Sequence, residues 1–237
     1  MLRGKVVMIT GASRGLGRAL TLAFAQEGAI LVLNSRDADS LDPVAGEAEG
    51  TGAEVLAFPG DVSRSTLVEK LVEAAVERFG RIDVLVNNAG LLGPRVPIVE
   101  YPEDEWRRVL DANLTAPFLL SKAVIPRMPE GGSIINVTSG VSVEGRAEWG
   151  AYSVSKFGLE GLTQILAAEL QDRGIRANSV DPGGMRTKMR AAAYPDEDPT
   201  TRITPEENTG VFLYLASDES RDVTGERFKA QEFQQTR

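Results

Sequence analysis

Four apolar residues, Val6-Val7-Met8-Ile9, lead directly into Thr10-Gly11-Ala12-Ser13-Arg14-Gly15-Leu16-Gly17, and an amphipathic segment follows. No other stretch of the chain restricts the fold as strongly. The apolar run is too short for a helix and reads as a strand. From Gly15 to Gln26 the residues Leu16, Leu20, Ala23 and Phe24 share one helical face, and Gly28 ends the segment. Gly11, Gly15 and Gly17 therefore fall at a strand-to-helix junction. Glycines there let the backbone approach a pyrophosphate, and the helix N-terminus offers free N–H groups to it. Three glycines would also serve a tight turn alone. The strand before and the helix after favour a nucleotide.

The alternation continues to the end of the chain. Ile30 to Leu33, Val55 to Phe58, Ile82 to Val86, Ser133 to Val137 and Ile175 to Val180 read as further strands, and 225–229 as a short last one. Helices are expected from Ser65 to Phe79, from Pro102 to Met128 with a kink at Pro117, from Ala151 to Asp172 and from Pro205 to Ala216. Such alternation predicts an α/β fold, a doubly wound parallel sheet with helices on both faces. No linker or fixed-period repeat divides the 237 residues, so one domain is expected over 1–237. Ala191 to Arg202 is polar and rich in breakers, and 185–202 reads as a mobile loop over a substrate.

Composition narrows the chemistry. The chain has no cysteine and no histidine. Thiolate ligands, cysteine nucleophiles, histidine triads and imidazole acid–base catalysis are excluded, so proton transfer falls to Asp, Glu, Lys or Tyr. The formal charge of −8 opposes nucleic-acid binding. No apolar run reaches the length of a membrane span, and Met1 to Lys5 leads into a strand without a signal-peptide core. A cytoplasmic protein with no membrane or nucleic-acid partner is expected.

The end of the second strand should face an adenosine ribose, where an acidic side chain would take the 2′-hydroxyl of NAD. Here the chain reads Asn34-Ser35-Arg36-Asp37. Arg36, with Arg14 from the glycine turn, suits a 2′-phosphate. NADP(H) is expected ahead of NAD(H), which Asp37 keeps open.

Five motifs in order resemble those of the short-chain dehydrogenase/reductase family over nearly the whole chain. Thr10 to Gly17 is similar to its T-G-x-x-x-G-x-G, and Asp61-Val62 to the pair flanking the adenine. Asn87-Asn88-Ala89-Gly90 resembles its N-N-A-G. Asn113, Ser139, Tyr152 and Lys156 match its Asn-Ser-Tyr-Lys set, and Asp181-Pro182-Gly183-Gly184 with Thr187 resembles its P-G motif. Compact 3-oxoacyl-(acyl carrier protein) reductases look nearest. The resemblance implies a seven-stranded Rossmann sheet in order 3-2-1-4-5-6-7. It also implies a homo-oligomer, a dimer or homotetramer, through the helices carrying Leu114, Phe118, Phe157 and Leu162. The cofactor contacts it carries over are Thr10, Gly11, Ser13, Arg14, Gly15, Leu16, Gly17, Ser35, Arg36, Asp61, Val62, Asn88, Ala89, Gly90, Tyr152, Lys156, Pro182, Gly183 and Thr187. The tail "GERFKAQEFQQTR" departs from the family's glycine-rich close and puts the usual tail contacts between subunits in doubt.

Tyr152 and Lys156 are four apart, hence on one helical face. A phenol of pKa about 10 exchanges protons poorly at neutral pH; a nearby ammonium favours its phenolate, and so does the positive nicotinamide ring of the oxidised cofactor. Tyr152 can then donate a proton to a carbonyl oxygen or take one from an alcohol, with Ser139 steadying that oxygen. The resemblance implies that Asn113 holds a water linking Lys156 to solvent. The expected activity is interconversion of a small-molecule carbonyl, a 3-oxoacyl thioester or other small ketone, and its secondary alcohol. A non-catalytic NAD(P)-binding regulator on the same fold is the alternative, and a nucleotide-sugar epimerase a third, for which the chain looks short. Trp149, three residues before Tyr152, lines the pocket or packs. Arg95 reads as a solvated loop arginine or an anion contact.

Overall fold

Every residue of the first strand, β1 (Val6–Thr10), is buried, as a strand covered by helices on both faces must be. In the computed structural model, which describes residues 2–234, six further strands lie beside it. They are β2 (Ile30–Asn34), β3 (Val55–Ala57), β4 (Val84–Asn87), β5 (Ser133–Val137), β6 (Arg176–Asp181) and β7 (Arg227–Lys229). All pairings are parallel, and the strand order is β3-β2-β1-β4-β5-β6-β7.

Between the strands run α1 (Gly15–Gln26), α2 (Ala38–Glu49), α3 (Ser65–Phe79), α4 (Glu103–Leu110), α5 (Ala116–Val124), α6 (Gly150–Glu169), α7 (Lys188–Ala193) and α8 (Gly210–Ala216). The period-two alternation of the strands divides the core. Val7, Ile9, Leu31 and Leu33 pack with Leu20, Phe24, Leu41 and Phe212 on one face. Met8, Val32, Leu85 and Ile134 pack with Leu71, Leu120, Val124 and Leu166 on the other.

Three features depart from the sequence expectation. The first is α2, which no periodic pattern announces. Pro43 and Gly46 lie inside it, yet Leu41, Val44, Ala45 and Ala48 still form a buried stripe, and the Asp37 carboxylate caps its start by accepting from Asp39 N. The second is the long helix expected over 102–128. It is interrupted by a π-turn at Asp111–Thr115 between α4 and α5. Pro117 has no N–H to give the Asn113 carbonyl four residues back, so the chain widens just before the proline. The third is the segment 185–202, which carries local structure of its own. It contains α7, and Glu197 accepts from Arg190 (2.6 Å from both Nε and Nη2) and from Arg202 (Nε 3.0 Å, Nη2 2.5 Å).

The tail also acts within the chain. Gln231 Nε2 donates to the carbonyls of Pro182 (2.9 Å) and Gly184 (3.0 Å). The final residues, 235–237, lie outside the described part.

Candidate active site

Parallel pairing brings the C-terminal ends of all strands to one edge, and the strand order reverses between β1 and β4. A crevice opens at such a reversal. The turns after β1 and β4 meet there and are stitched together. Thr10 Oγ1 accepts from the backbone N–H groups of Asn88 (3.1 Å) and Ala89 (3.0 Å), and Asn88 Nδ2 donates to the carbonyls of Thr10 (2.8 Å) and Gly11 (3.2 Å). A Cβ on Gly11, whose φ is +65°, would stand 2.9 Å from Ala89 Cα, and one on Gly17 would overlap the Gly11 carbonyl oxygen. Only glycine permits this approach.

The side chain of Arg14, the N-cap of α1, makes no capping hydrogen bond. The first N–H groups of α1 are therefore open to ligand oxygens, and the bare glycine cradle leaves room for a pyrophosphate. Thr187, the N-cap of α7, lies over the turn, its methyl 3.5 Å from where a Gly15 Cβ would be. Among the predicted contacts, the Thr10 hydroxyl is engaged in the stitch, and the side chains of Leu16 and Val62 are buried in the two cores. Ser13, Gly15 and Gly90 remain at the surface of the crevice.

At the ends of β2 and β3 the geometry favours a phosphate over a bare ribose. Arg14 and Arg36 are exposed. Asp37, the acidic group that kept NAD(H) open, is occupied as the cap of α2, and Ser35 Oγ donates to its carbonyl at 2.8 Å. The Asp61 carboxyl lies below its usual range. Burial raises it, but hydrogen bonds from Ser63 and the charges of Arg36 and Arg64 outweigh that.

Ser139, just beyond β5, and Tyr152 and Lys156, on α6, converge beside this crevice. The Ser139 hydroxyl hydrogen-bonds the Tyr152 phenol. Lys156 Nζ lies 5.8 Å from the Tyr152 ring centre and donates to the Val137 carbonyl at 2.7 Å. Burial pushes Lys156 down to about 8, with Glu160 pulling the other way. The protein's own groups do not make the phenol more acidic. Burial pushes Tyr152 up to about 12, the Asp181 carboxylate adds to the rise, and the Ser139 hydrogen bond only partly offsets both.

Asn113 is fully buried in the π-turn. Its Nδ2 donates to the Leu91 carbonyl (2.9 Å) and Ser155 Oγ (3.1 Å), and its Oδ1 accepts from Leu91 N at 2.7 Å. The side chain pins the turn after β4 to α6, and its amide is already engaged. A Cβ on Gly90 would stand 3.4 Å from Asn113 Oδ1 and 3.9 Å from Lys156 Nζ, so all three crowd together.

A cavity of about 250 Å³ opens onto Ser139 and Tyr152. Trp149, Tyr194, Met185 and Met189 give it apolar lining, and Asp181 and Gly183 line it too. Trp149 both packs and lines, its ring 5.6 Å from that of Tyr152 and 6.1 Å from that of Tyr194. Arg95 is not a solvated loop residue. Its guanidinium lies over Trp149 (4.7 Å) and Tyr194 (5.3 Å) and donates to the Ala193 carbonyl at 2.6 Å. Sequence reasoning missed Tyr194, Glu160 and Arg227. Of these only Glu160 carried a signal, its place one helical turn beyond Lys156.

The family described as short chain dehydrogenase matches residues 5–198. The uncharacterized oxidoreductase YciK of Escherichia coli is 38% identical over 236 residues, covering 98% of this chain and 93% of the relative. The 3-oxoacyl-[acyl-carrier-protein] reductase FabG of Thermotoga maritima is 39% identical, with 95% of each chain covered. A solved structure described as a short chain dehydrogenase from Shigella flexneri, complexed with NADP, superposes with a TM-score of 0.92. It shares 38% identity, with 97% of this chain and 98% of that one covered.

Proposed function

From the premise that the chain belongs to the short-chain dehydrogenase family, we propose an NADP(H)-dependent oxidoreductase that interconverts a carbonyl and a secondary alcohol. The observation that carries the reading is the meeting of Ser139, Tyr152 and Lys156 at the mouth of a cavity beside the β1/β4 crevice.

When bound, the nicotinamide cofactor supplies the hydride chemistry and, in its oxidised form, a positive ring. The N–H groups of α1 and the glycine cradle hold the pyrophosphate, and Arg14 and Arg36 take the 2′-phosphate. Asn88, Ala89 and Gly90 wall the crevice, and Pro182, Gly183 and Thr187 close it from the β6 side. Tyr152 donates its proton to the substrate oxygen in reduction and recovers it in oxidation. Ser139 hydrogen-bonds the same oxygen as it gains charge. A phenol held at about 12 is a reluctant base, and a positive ring bound beside it would favour the phenolate that Tyr152 needs in oxidation. Lys156, held near 8, supplies a proton or a cation beneath Tyr152. Asn113 acts by fixing the turn after β4 against α6.

The apolar lining suits a small ketone, and the FabG likeness makes acetoacetyl thioesters the first to try. Exposed Phe118 on α5 and Val154, Phe157 and Ile165 on α6 form an apolar face for a second copy of the chain.

The test is a panel of carbonyls with NADPH, read by loss of reduced nicotinamide absorbance. Tyr152→Phe is expected to lower turnover by about 10²–10⁴-fold, with NADPH affinity nearly unchanged. Tight NADPH binding with no turnover on any member would instead mark a regulator.

A further inference from the structure

Arg227 stands at the start of β7, at the opposite end of the strand order from the adenosine side. Its side chain turns inward, with 23% exposed. The guanidinium reaches three elements at once. Nε donates to Glu160 Oε1 on α6 at 3.2 Å. Nη2 donates to Asp181 Oδ2 at the end of β6 at 2.9 Å, and to the Ser139 carbonyl beyond β5 at 3.3 Å.

Glu160 is buried, and its remaining contacts are hydroxyls, Ser142 Oγ at 2.8 Å and Ser179 Oγ at 2.5 Å. Asp181 accepts from Gly183 N at 2.9 Å through its other oxygen and lines the cavity along with Tyr152. The charged groups around the site are then accounted for. Tyr152 faces Asp181 from β6 and Lys156 from its own helix, and Lys156 faces Glu160 from that same helix. Arg146 and Arg190, in the cavity wall, are paired with Glu144 and Glu197. Among the described residues, Arg227 is the one cation in a salt bridge with either Glu160 or Asp181.

We propose that Arg227 is a positioning residue for the Ser139–Tyr152–Lys156 group: it ties the Ser139 backbone and both flanking carboxylates, Asp181 and Glu160, into one fixed and charge-paired unit. The proposal rests on reading that group as the proton-transfer site. The planar fork is what makes it possible, because Nε and Nη2 are separate donors aimed at different elements, whereas an ammonium would have to gather all three oxygens around one nitrogen. Without the guanidinium, two buried carboxylates would face the phenol and the ammonium unpaired. Asp181 would be free to turn toward Tyr152, and the Ser139 turn would lose its anchor.

The test uses protein labelled with ¹³C at the lysine ε-carbons, with the Lys156 signal assigned by its loss in Lys156→Met. In the wild type its titration midpoint is expected near 8. In Arg227→Gln it is expected to rise by about one pH unit, since a compensating cation has gone. Turnover should fall about 10–100-fold while the KM for NADPH moves less than about threefold, the mark of misplaced chemistry rather than lost cofactor binding. Arg227→Lys should return the midpoint to its wild-type place but leave turnover about tenfold low. A folded Arg227→Gln with an unmoved midpoint would overturn the proposal. If that variant does not fold, Arg227→Lys decides alone: reduced turnover with an unmoved midpoint supports the proposal, and wild-type turnover ends it. The titration needs no substrate, so inactivity on every carbonyl would sink the function proposed above and leave this test standing.

Discussion

Gly17 gives the sharpest quantitative test of the glycine turn. A Cβ there would overlap the Gly11 carbonyl oxygen and stand 2.8 Å from the Gly11 carbonyl carbon and 2.7 Å from Asn88 Nδ2. Comfortable carbon contacts begin near 3.5 Å. Gly17→Ala therefore intrudes by about 0.7 Å on the Gly11 carbonyl carbon and by more on its oxygen, backbone that has no rotamer to escape into. Either α1 moves away from β1 or the Thr10–Asn88 stitch opens. Overpacking of this kind costs about 1–3 kcal/mol, and each kcal/mol lowers Tm by about 2–4 °C in a chain of this size. A fall of about 2–12 °C is expected, together with at least tenfold weaker NADPH binding, because the displaced N–H groups are those assigned to the pyrophosphate. Gly46 is the internal control. It lies inside α2 with nothing within 4 Å of its Cβ position, so Gly46→Ala should raise stability by about 0.5–1 kcal/mol through helix propensity alone. Thermal melts of both variants, with fluorescence titration of NADPH, settle the matter. A Gly17→Ala protein that melts with the wild type would refute the steric argument, whatever its activity.

Lys156 is depressed by burial, so between its folded value of about 8 and its unfolded value of 10.5 the unfolded chain binds more protons, and stability from this residue climbs with pH across that window. Lys156→Met should accordingly be more stable than wild type by about 1–3 kcal/mol at pH 7, after the lost bond to Val137. The advantage should shrink toward pH 10; urea denaturation showing the same difference at both pH values would contradict this. Arg36→Asp should weaken NADPH about 10–100-fold and NADH little, as read by fluorescence titration, and an equal loss for both would remove Arg36 from the phosphate. Arg176 is buried and donates to the carbonyls of Leu215 (3.1 Å), Ser217 (3.2 Å) and Ser220 (2.9 Å), closing the end of α8. Arg176→Met should cost about 2–4 kcal/mol of stability in denaturant titration, and a change within about 0.5 kcal/mol would show that those carbonyls find other partners.

What the sequence determined by itself is whatever depends on periodicity and on local backbone chemistry. Val6 to Ile9 followed by three glycines and a helical stripe could be placed without coordinates, because a strand, a tight junction and an amphipathic helix each write their own spacing. The same holds for Tyr152 and Lys156, which a helix must present together. The motif resemblance then supplied the strand order that the structure has. Tertiary structure alone decided the rest. α2 was hidden because Pro43 and Gly46 blur its stripe, and it forms because Leu41 and Val44 have a sheet to cover. The protein's own effect on Tyr152 was hidden because adjacency along a helix says nothing about desolvation, and burial raises the phenol. Arg95 and Arg227 look like any surface arginine in the chain. Their partners lie far away in sequence, Trp149 and Ala193 for one, Ser139, Glu160 and Asp181 for the other. Local forces leave a periodic trace in a sequence; contacts between distant segments and the dielectric around a buried charge leave none, since they exist only once the chain has closed on itself.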